Sequence, residues 1–323
     1  MLALLVSRLA QGIVVLFAVT LLTFALLGAA GGDAVSAVYD DPRVSAESLA
    51  RLRAIHGLDR PFHVRYARWL TSALGGDLGT SIYFQTSVGS LLAPRLARTL
   101  ALGAAALLLS LVVAFSLGVA AARRRGSWAD RLSAALELTA SSTPRIVLAL
   151  VALVLAARWA LFESGGAGGT VLRFLLAAVV LAAPLVAIFL AQVRDGLGEA
   201  LREDFVQLAR AKGLRERVVL VRHAMRAALN PVITVFGFSL GSALSGSVIV
   251  ETVLGWPGVG QLSVAAVRAR DVPLLMGIVL ATSLAVLVGN LVADVLLHLN
   301  DPRVASAEKK ASARAAELGA RAN

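Results

Sequence analysis

Long apolar stretches alternate with polar segments along this chain. Six of these stretches carry almost no charge, and they cover residues 9–30, 97–122, 133–160, 171–192, 230–253 and 273–298. About 20 apolar residues in a helix cross a bilayer core, and a helix satisfies its own backbone hydrogen bonds in lipid. The pattern therefore predicts an all-α polytopic membrane protein with six transmembrane helices.

The same pattern divides the chain into four parts. We expect an N-terminal span at 1–30, an extracytoplasmic loop region at 31–96, a core of five spans at 97–299 and a tail at 300–323. The first apolar run is longer than a signal-peptide core, so we interpret it as an uncleaved span; small residues at 28–31 leave cleavage as an alternative. Within the loop region, Leu49, Leu52 and Ile55 recur at helical spacing and predict a short helix over 46–56.

The composition agrees with a membrane protein. Hydrophobic residues make up 58% of the chain and the net charge is +11. Such a charge could indicate binding to nucleic acid or to anionic lipid, but the position of the basic residues gives a simpler reason. The N-terminus, the loops at 123–132 and 194–230 and the tail together carry 18 basic residues, whereas the opposite short loops carry only Arg268 and Arg270. Because basic loops stay inside, we expect both termini in the cytoplasm, contact with membrane lipid and no nucleic-acid partner.

The sequence lacks the residues that common catalytic motifs require. It contains no Cys, which excludes disulfides and thiolate chemistry. A P-loop needs a Gly-Lys pair, and no lysine in this chain follows a glycine. The four histidines have no metal-ligand spacing, and the nearest approach to a serine-protease motif, at 243–246, lacks its leading glycine. We therefore expect a protein that is not an enzyme and has no metal or cofactor of its own.

The cytoplasmic segment 194–230 has the most informative pattern. Strong helix formers fill 199–212, and acidic residues precede basic ones, the order that the helix dipole favours. Leu201, Phe205 and Leu208 recur at helical spacing, so we expect them on one face. Gly213 supplies a helix stop.

A second helix is expected over 215–229, before Pro231 begins the fifth span. The segment could be a solvated loop or a helix that lies on anionic lipid. An exposed apolar stripe centred on Phe205 and surrounded by both signs of charge favours a protein partner instead.

Short motifs along the chain follow one another in an order that resembles a known family. They are 32–33, 58–61, 76–81, 204–214, 222–224, 230–234, 250–253, 256–260, 270–273 and 300–303. The cytoplasmic group resembles the EAA loop of permease subunits in ATP-binding-cassette importers, in the dipeptide, oligopeptide and nickel branch. Where the general pattern reads Glu-Ala-Ala, this chain has Gln207, Leu208 and Ala209, a relaxation common in that branch. The resemblance covers nearly the whole chain, and the long first external loop is similar to that of the B-type permease.

The resemblance implies a type I importer permease fold and a heteromeric complex in the inner or plasma membrane of a prokaryote. The expected partners are a second homologous permease, two ATP-binding subunits that carry ATP and Mg, and an extracytoplasmic substrate-binding protein. This chain would form half of a translocation path for di- or oligopeptides, and its cytoplasmic helix would couple ATP hydrolysis to transport. The residues assigned to ATPase coupling are Leu201, Asp204, Phe205, Leu208, Ala209, Arg210, Ala211, Lys212, Gly213 and His223, with Phe205 as the anchor.

Charged and polar residues inside the spans are candidates for the translocation path, because a charge at mid-span costs about 2.5–3.5 kcal/mol. They are Arg145, Glu251, Asn290 and Asp294. Arg145 would either pair with Glu137, Asp294 or the partner permease, or line the path and meet a substrate carboxylate. Glu251 and Asp294 lie toward span ends, where a structural or interfacial role is favoured, and for Asn290 a helix–helix hydrogen bond is favoured.

The external segments are the expected docking surface for the binding protein. The residues assigned to it are Asp77, Trp256, Pro257, Arg270 and Asp271. Trp256-Pro257 suggests a rigid turn near the mouth of the path, with anchoring at the lipid interface as the alternative for Trp256.

Two other classes of function are compatible with six spans. An ion-gradient-driven secondary transporter predicts matching halves with broken midplane helices, a symmetry that the sequence does not display. A non-transporting membrane scaffold subunit is the second alternative, and co-purification of ATPase subunits would distinguish it from an importer permease.

Overall fold

The computed structural model describes residues 2–29, 47, 59–159 and 167–300, and nearly all of these residues are helical. The first five helices are α1 (Leu2–Ala29), α2 (Phe62–Leu74), α3 (Val88–Arg123), α4 (Trp128–Ser142) and α5 (Arg145–Arg158). The others are α6 (Ala167–Ala200), α7 (Asp204–Ala211), the three-residue α8 (Glu216–Val218), a π-helical turn (Val219–Ala224), α9 (Met225–Leu254), α10 (Val259–Arg268) and α11 (Val272–Asn300). The motif at 32–33, most of the helix predicted over 46–56, and the tail 301–323 lie outside the described residues.

Five of the described helices are long and apolar enough to cross a membrane, and a bent pair supplies a sixth span if it is counted as one. The five are α1, α3, α6, α11 and the helix that includes α9. This confirms an all-α polytopic protein. The helices extend past the predicted spans: α3 begins at Val88 inside the predicted external loop region, and α6 continues to Ala200.

The predicted span over 133–160 is not one continuous helix. It consists of α4 and α5, which are bent by 101° at a short break. Thr143 ends α4 in an extended conformation (φ −98°, ψ 118°), because a residue before proline avoids the helical region. Pro144 then opens the next helix without an N–H to donate. The apolar pattern identified the stretch, and the proline decided where it breaks.

The described part of the chain divides into two compact units, each assembled from separate stretches. The first contains Met1–Ala104, Ala149–Ala177 and Leu244–Leu287. In it, α2 packs on α1 through Tyr66, whose hydroxyl bonds Thr20 Oγ1 at 3.0 Å and whose ring lies against Phe24. A second cluster of buried side chains joins the start of α3 to α10 and α11, with Val88, Leu262 and Leu274 at its centre.

The second unit contains Ala105–Leu148, Ala178–Ala243 and Val288–Asn323. Its core cluster joins the end of α6 to α7, the π-helical turn and the start of α9. Arg194 on α6 forms an ion pair with Glu137 on α4 (Nη1–Oε2 3.3 Å). This unit therefore builds the surroundings of the segment that the sequence marks for coupling.

Candidate functional site

Helix α7 presents one face to the chain's own core. A three-residue turn separates it from the end of α6. Val206 and Ala209 are buried, and they belong to the cluster that Leu197, Leu220 and other side chains complete. These contacts fix α7 against the ends of α6 and α9, so the short helix is a packed element and not a free loop.

The adjacent, outward face of α7 exposes large apolar side chains. Phe205 is 43% exposed and Leu208 is 56% exposed, and they lie one turn apart. Leu201, which was expected on the same stripe, lies in the turn before the helix and packs against the core cluster. The expectation of one helix through 199–212 is wrong at this point, since α6 ends at Ala200. The outward apolar patch is therefore formed by Phe205 and Leu208, without Leu201.

Gly213 ends α7 as predicted. Its φ is +74°, a left-handed conformation that glycine adopts without a Cβ penalty. Its N–H donates to the Arg210 carbonyl at 2.9 Å, and the Leu214 N–H donates to the Ala209 carbonyl at 3.3 Å. These two bonds are those of a Schellman stop. Lys212 caps the helix, and it is exposed like Ala211.

The polar residues of α7 are arranged around its ends. Asp204 lies in the first turn, where the helix dipole favours an acid. Arg210 donates from Nη2 and Nε to the two carboxylate oxygens of Glu216, at 2.8 and 3.2 Å. These bonds raise the pKa of Arg210, which carries its charge at any physiological pH. Arg210 thus braces the turn after α7 from within the chain, in addition to any contact with a partner.

The second predicted helix, over 215–229, is not a separate element. It begins as the short α8, passes through the π-helical turn Val219–Ala224 and runs without a stop into α9. The Met225 N–H donates to the Leu220 carbonyl, five residues back. Pro231 lies inside α9 and does not start it. His223 lies half-buried in the π-helical turn.

A set of hydrogen bonds that the sequence pattern does not predict ties the start of α9 to the end of α11. The Asn300 side chain donates to the Arg226 carbonyl at 3.1 Å and to Asn230 Oδ1 at 2.6 Å. In return, Arg226 Nη2 donates to the Asn300 carbonyl at 3.2 Å. Asn230 and Asn300 belong to the 230–234 and 300–303 motifs, so part of the motif pattern reflects a contact between helix ends.

Comparison with known proteins identifies the family of this chain. The family model described as "Binding-protein-dependent transport system inner membrane component" matches residues 114–306, and the model for the family's N-terminal region matches residues 1–103. The chain belongs to this family of permeases. It is therefore a multi-pass inner membrane protein of the ATP-binding-cassette importers and is not itself an enzyme.

Curated relatives match this permease along almost its whole length. A Brucella ovis protein provisionally named a peptide permease is 37% identical, over 92% of this chain and 97% of its own. The oligopeptide transport system permease protein AppB of Bacillus subtilis is 34% identical, over 94% of this chain and 99% of its own. The dipeptide transport system permease protein DppB of Escherichia coli K12 is 31% identical with the same coverage.

Arg145 lies at the break between α4 and α5 of the permease. Its Nη1 donates to the Ser242 carbonyl at 2.8 Å and its Nη2 to Ser242 Oγ at 2.6 Å. Glu137, one of its expected ion-pair partners, forms an ion pair with Arg194 instead. Arg145 therefore holds α9 beside the break through a serine, and it is half-buried there.

The other path candidates differ in their surroundings. Asn290 is exposed on α11, and Asp294, one turn later, is half-buried. Glu251 was expected near a membrane interface, yet its side chain is fully buried near the end of α9. It accepts a hydrogen bond from Thr99 Oγ1 at 2.6 Å and one from the Gly260 N–H at 2.6 Å. The carboxyl group of Glu251 therefore stabilises the turn between α9 and α10.

Of the docking candidates, some are buried and others lie on the surface. Asp271 is fully buried and accepts hydrogen bonds from Ser81 Oγ at 2.5 Å and the Tyr83 N–H at 3.0 Å. Trp256 is also buried, with its ring 5.3 Å from that of Phe174 between centroids.

Three further candidates are accessible. Asp77 and Arg270 are exposed and Pro257 is half-buried. Asp77 Oδ1 accepts a hydrogen bond from the Gly79 N–H at 2.8 Å, which closes the turn after α2. Among the residues predicted to dock a binding protein, these three are therefore the accessible ones, and their role in docking stays a prediction.

The sequence pattern gave no role to Thr99 or Ser242 and included Ser81 only as the last residue of the 76–81 motif, although each binds a charged residue inside the fold. A hydroxyl in an apolar stretch is common, and its usual bond is to its own helix. Nothing in the local pattern distinguishes Thr99 from a threonine such as Thr282, which bonds the carbonyl one turn back. Only the tertiary contact shows the difference.

Proposed function

We propose that this permease is one of two membrane subunits of an ATP-driven peptide importer, and that α7 is the helix through which an ATPase subunit acts on it. The observation that carries the proposal is the division of α7 into two faces. Val206 and Ala209 attach it to the permease core, while Phe205 and Leu208 remain exposed on the adjacent face. A short rigid helix with an outward aromatic anchor suits the transmission of rigid-body motion.

The way α7 is attached supports this role. The core cluster joins it to the last turns of α6 and to the start of α9. Arg210 and Glu216 brace the turn that follows it. A force on Phe205 would therefore reach two long membrane helices at once, because buried side chains in close packing transmit displacement.

The remaining parts of the importer are proposed from the family and its relatives. A homologous permease would complete the path, two ATP-binding subunits would hold ATP and Mg, and an extracytoplasmic binding protein would deliver the substrate. The relatives are named for peptides, oligopeptides and dipeptides, so peptides are the proposed cargo. Membership in a binding-protein-dependent family favours this function over an ion-gradient transporter or a scaffold.

The proposed orientation places α7 and both termini in the cytoplasm, where ATP is available. The basic residues around α7 agree with the positive-inside rule. The buried clusters around Asp271 and Glu251 would then lie toward the extracytoplasmic side, where a binding protein docks.

The test is replacement of the anchor in the full complex. Phe205→Ala should lower the affinity of the permease for the ATPase subunits about 30-fold, because the loss of an aromatic anchor costs about 2 kcal/mol of binding free energy. We expect less ATPase subunit to co-purify with the permease, and peptide uptake per ATP hydrolysed to fall. Phe205→Leu, which keeps an apolar contact, should retain part of both.

Phe238→Ala is the matched control, because Phe238 is 75% exposed but lies on α9, away from the coupling segment. It should leave co-purification of the ATPase subunits unchanged. If Phe205→Ala retains full co-purification and full coupling, α7 is not the coupling helix. If no ATPase subunit accompanies the wild-type permease, the importer assignment itself is wrong.

A further inference from the structure

The short helix α10 donates hydrogen bonds from its N-terminus to two side chains on other helices. The Val259 N–H donates to Thr99 Oγ1 at 2.8 Å. The next two N–H groups, of Gly260 and Gln261, donate to Glu251 Oε2 at 2.6 and 3.4 Å. The first N–H groups of a helix have no partner within it. Thr99 and Glu251 supply those partners.

Thr99 and Glu251 are also bonded to each other. The Thr99 hydroxyl donates to Glu251 Oε1 at 2.6 Å while it accepts from Val259. Thr99 belongs to α3 and Glu251 to α9. Three helices therefore meet at one buried carboxyl group, and this pair of side chains, which we name the α10 clamp, holds them together.

Close backbone approach makes the α10 clamp rigid. A Cβ on Gly260 would collide with the backbone of Val248, and one on Gly258 would collide with the Glu251 carboxyl. The start of α10 thus lies directly on the last turns of α9. At the other end of α10, Asp271 caps the start of α11 and binds Ser81.

We infer that Glu251 and Thr99 act as positioning residues, which make α10 move with the end of α9 when the extracytoplasmic binding protein docks. This inference rests on the proposed function. Helix α9 is continuous from Met225 to Leu254, three residues past Glu251. Met225 packs against the core cluster that holds α7. Because α10 is rigidly attached to one end of α9, a displacement of α10 on docking would be carried along α9 to its other end.

The α10 clamp can be opened without a change of shape. Thr99→Val removes the hydroxyl, and with it the bonds to Glu251 and to Val259, but it keeps the side-chain volume. Thr99→Ser keeps the hydroxyl and is the rescue variant. Thr252→Val is the matched control: Thr252 is exposed on the same turn of α9 as Glu251, and its hydroxyl bonds the carbonyl of Val248 on its own helix, at 2.7 Å.

The assay is ATP hydrolysis by the full complex in nanodiscs, with and without its binding protein saturated by a mixture of di- and tripeptides. Thr99→Val should raise the binding-protein concentration for half-maximal stimulation about tenfold, as expected for the loss of buried hydrogen bonds. Hydrolysis without binding protein should stay at the wild-type rate, and Thr99→Ser and Thr252→Val should resemble wild type.

Two results would overturn the inference while leaving the proposed function intact. One is a Thr99→Val complex that is stimulated like Thr252→Val. The other is an equal loss of basal and stimulated hydrolysis that Thr99→Ser does not restore, which is the signature of a merely structural bond. A wild-type complex that the binding protein does not stimulate would refute the proposed function, and the inference with it.

Discussion

Glu251 and Asp271 show how carboxyl groups can be buried in an apolar protein through hydroxyl and backbone donors. Each receives one short hydroxyl bond and at least one backbone N–H bond. Thr99 and Gly260 lie on other helices than Glu251, and Ser81 and Tyr83 lie far from Asp271 in sequence, so these bonds satisfy the acid and join the fold together. Removal of one partner leaves a buried polar group without its bond, which costs about 1–3 kcal/mol.

Gly260→Ala tests this packing at the scale of a single methyl group. The new Cβ would meet the Val248 backbone, which cannot give way as a flexible side chain would. Overpacking of this kind costs about 1–3 kcal/mol, so the purified permease should unfold at a lower temperature in a detergent melt.

Gly103→Ala is the control for that experiment. Gly103 lies within α3, and among the described residues no neighbouring atom comes within 4 Å of the place that an added methyl group would take. The substitution should leave the melting temperature unchanged or raise it, because alanine favours a helix by about 1 kcal/mol over glycine. Equal melting temperatures for the two variants would show that the start of α10 can move away from α9.

At the scale of the element, the sequence predicted that α7 is a helix more reliably than it predicted which face of that helix is buried. Its composition and Gly213 stop were enough to predict a helix and its end. Which face turns inward depends on Leu197, Leu220 and other residues that are distant in sequence. Periodicity therefore identified an apolar stripe with Leu201 in it, whereas packing leaves Phe205 and Leu208 on the outside.

The broken third span shows the same limit. An apolar stretch of this length predicts a membrane crossing, and Pro144 marks where the helix must stop. The size of the bend, 101°, depends on what holds the second half in place. Ser242 supplies one such contact through Arg145, from a helix almost a hundred residues further along the chain.

Arg145 at this break gives a prediction about substrate choice. If Arg145 meets the carboxylate of a peptide, Arg145→Leu should reduce uptake of peptides with a free C-terminal carboxylate about tenfold or more relative to C-terminally amidated peptides, the loss expected for one charge-assisted bond. Ser242→Ala removes the Oγ partner of Arg145 but keeps the cation.

The measurement is uptake of labelled peptides into proteoliposomes that contain the complete importer. Ser242→Ala should lower uptake of both peptide classes alike, because it affects only the contact between Arg145 and α9. If Arg145→Leu also lowers uptake of both peptide classes equally, Arg145 serves only the contact between helices and does not contact the substrate carboxylate.

At the scale of the whole molecule, the charge distribution is the observation that predicts how the chain is oriented in the membrane. In the proposed importer this permease, which has no P-loop, would receive its energy from another chain, and the helix assigned to that contact lies in the most basic loop. The proposed coupling role requires α7 to face the cytoplasm, and the proposed docking role requires the α2 region to face outward. The positive-inside rule gives the same orientation from an independent argument.

The absence of cysteine from the chain makes this orientation directly measurable. Ser72 on α2 and Arg124 in the turn after α3 are both exposed, so Ser72→Cys and Arg124→Cys each introduce a single accessible thiol. With a thiol reagent that cannot cross membranes, Ser72→Cys should be labelled in spheroplasts and Arg124→Cys only after permeabilisation. The unmodified chain supplies the background, since it has no thiol to label. The opposite pattern would place α7 outside the cell, where no ATPase could reach it, and would refute both the orientation and the coupling role together.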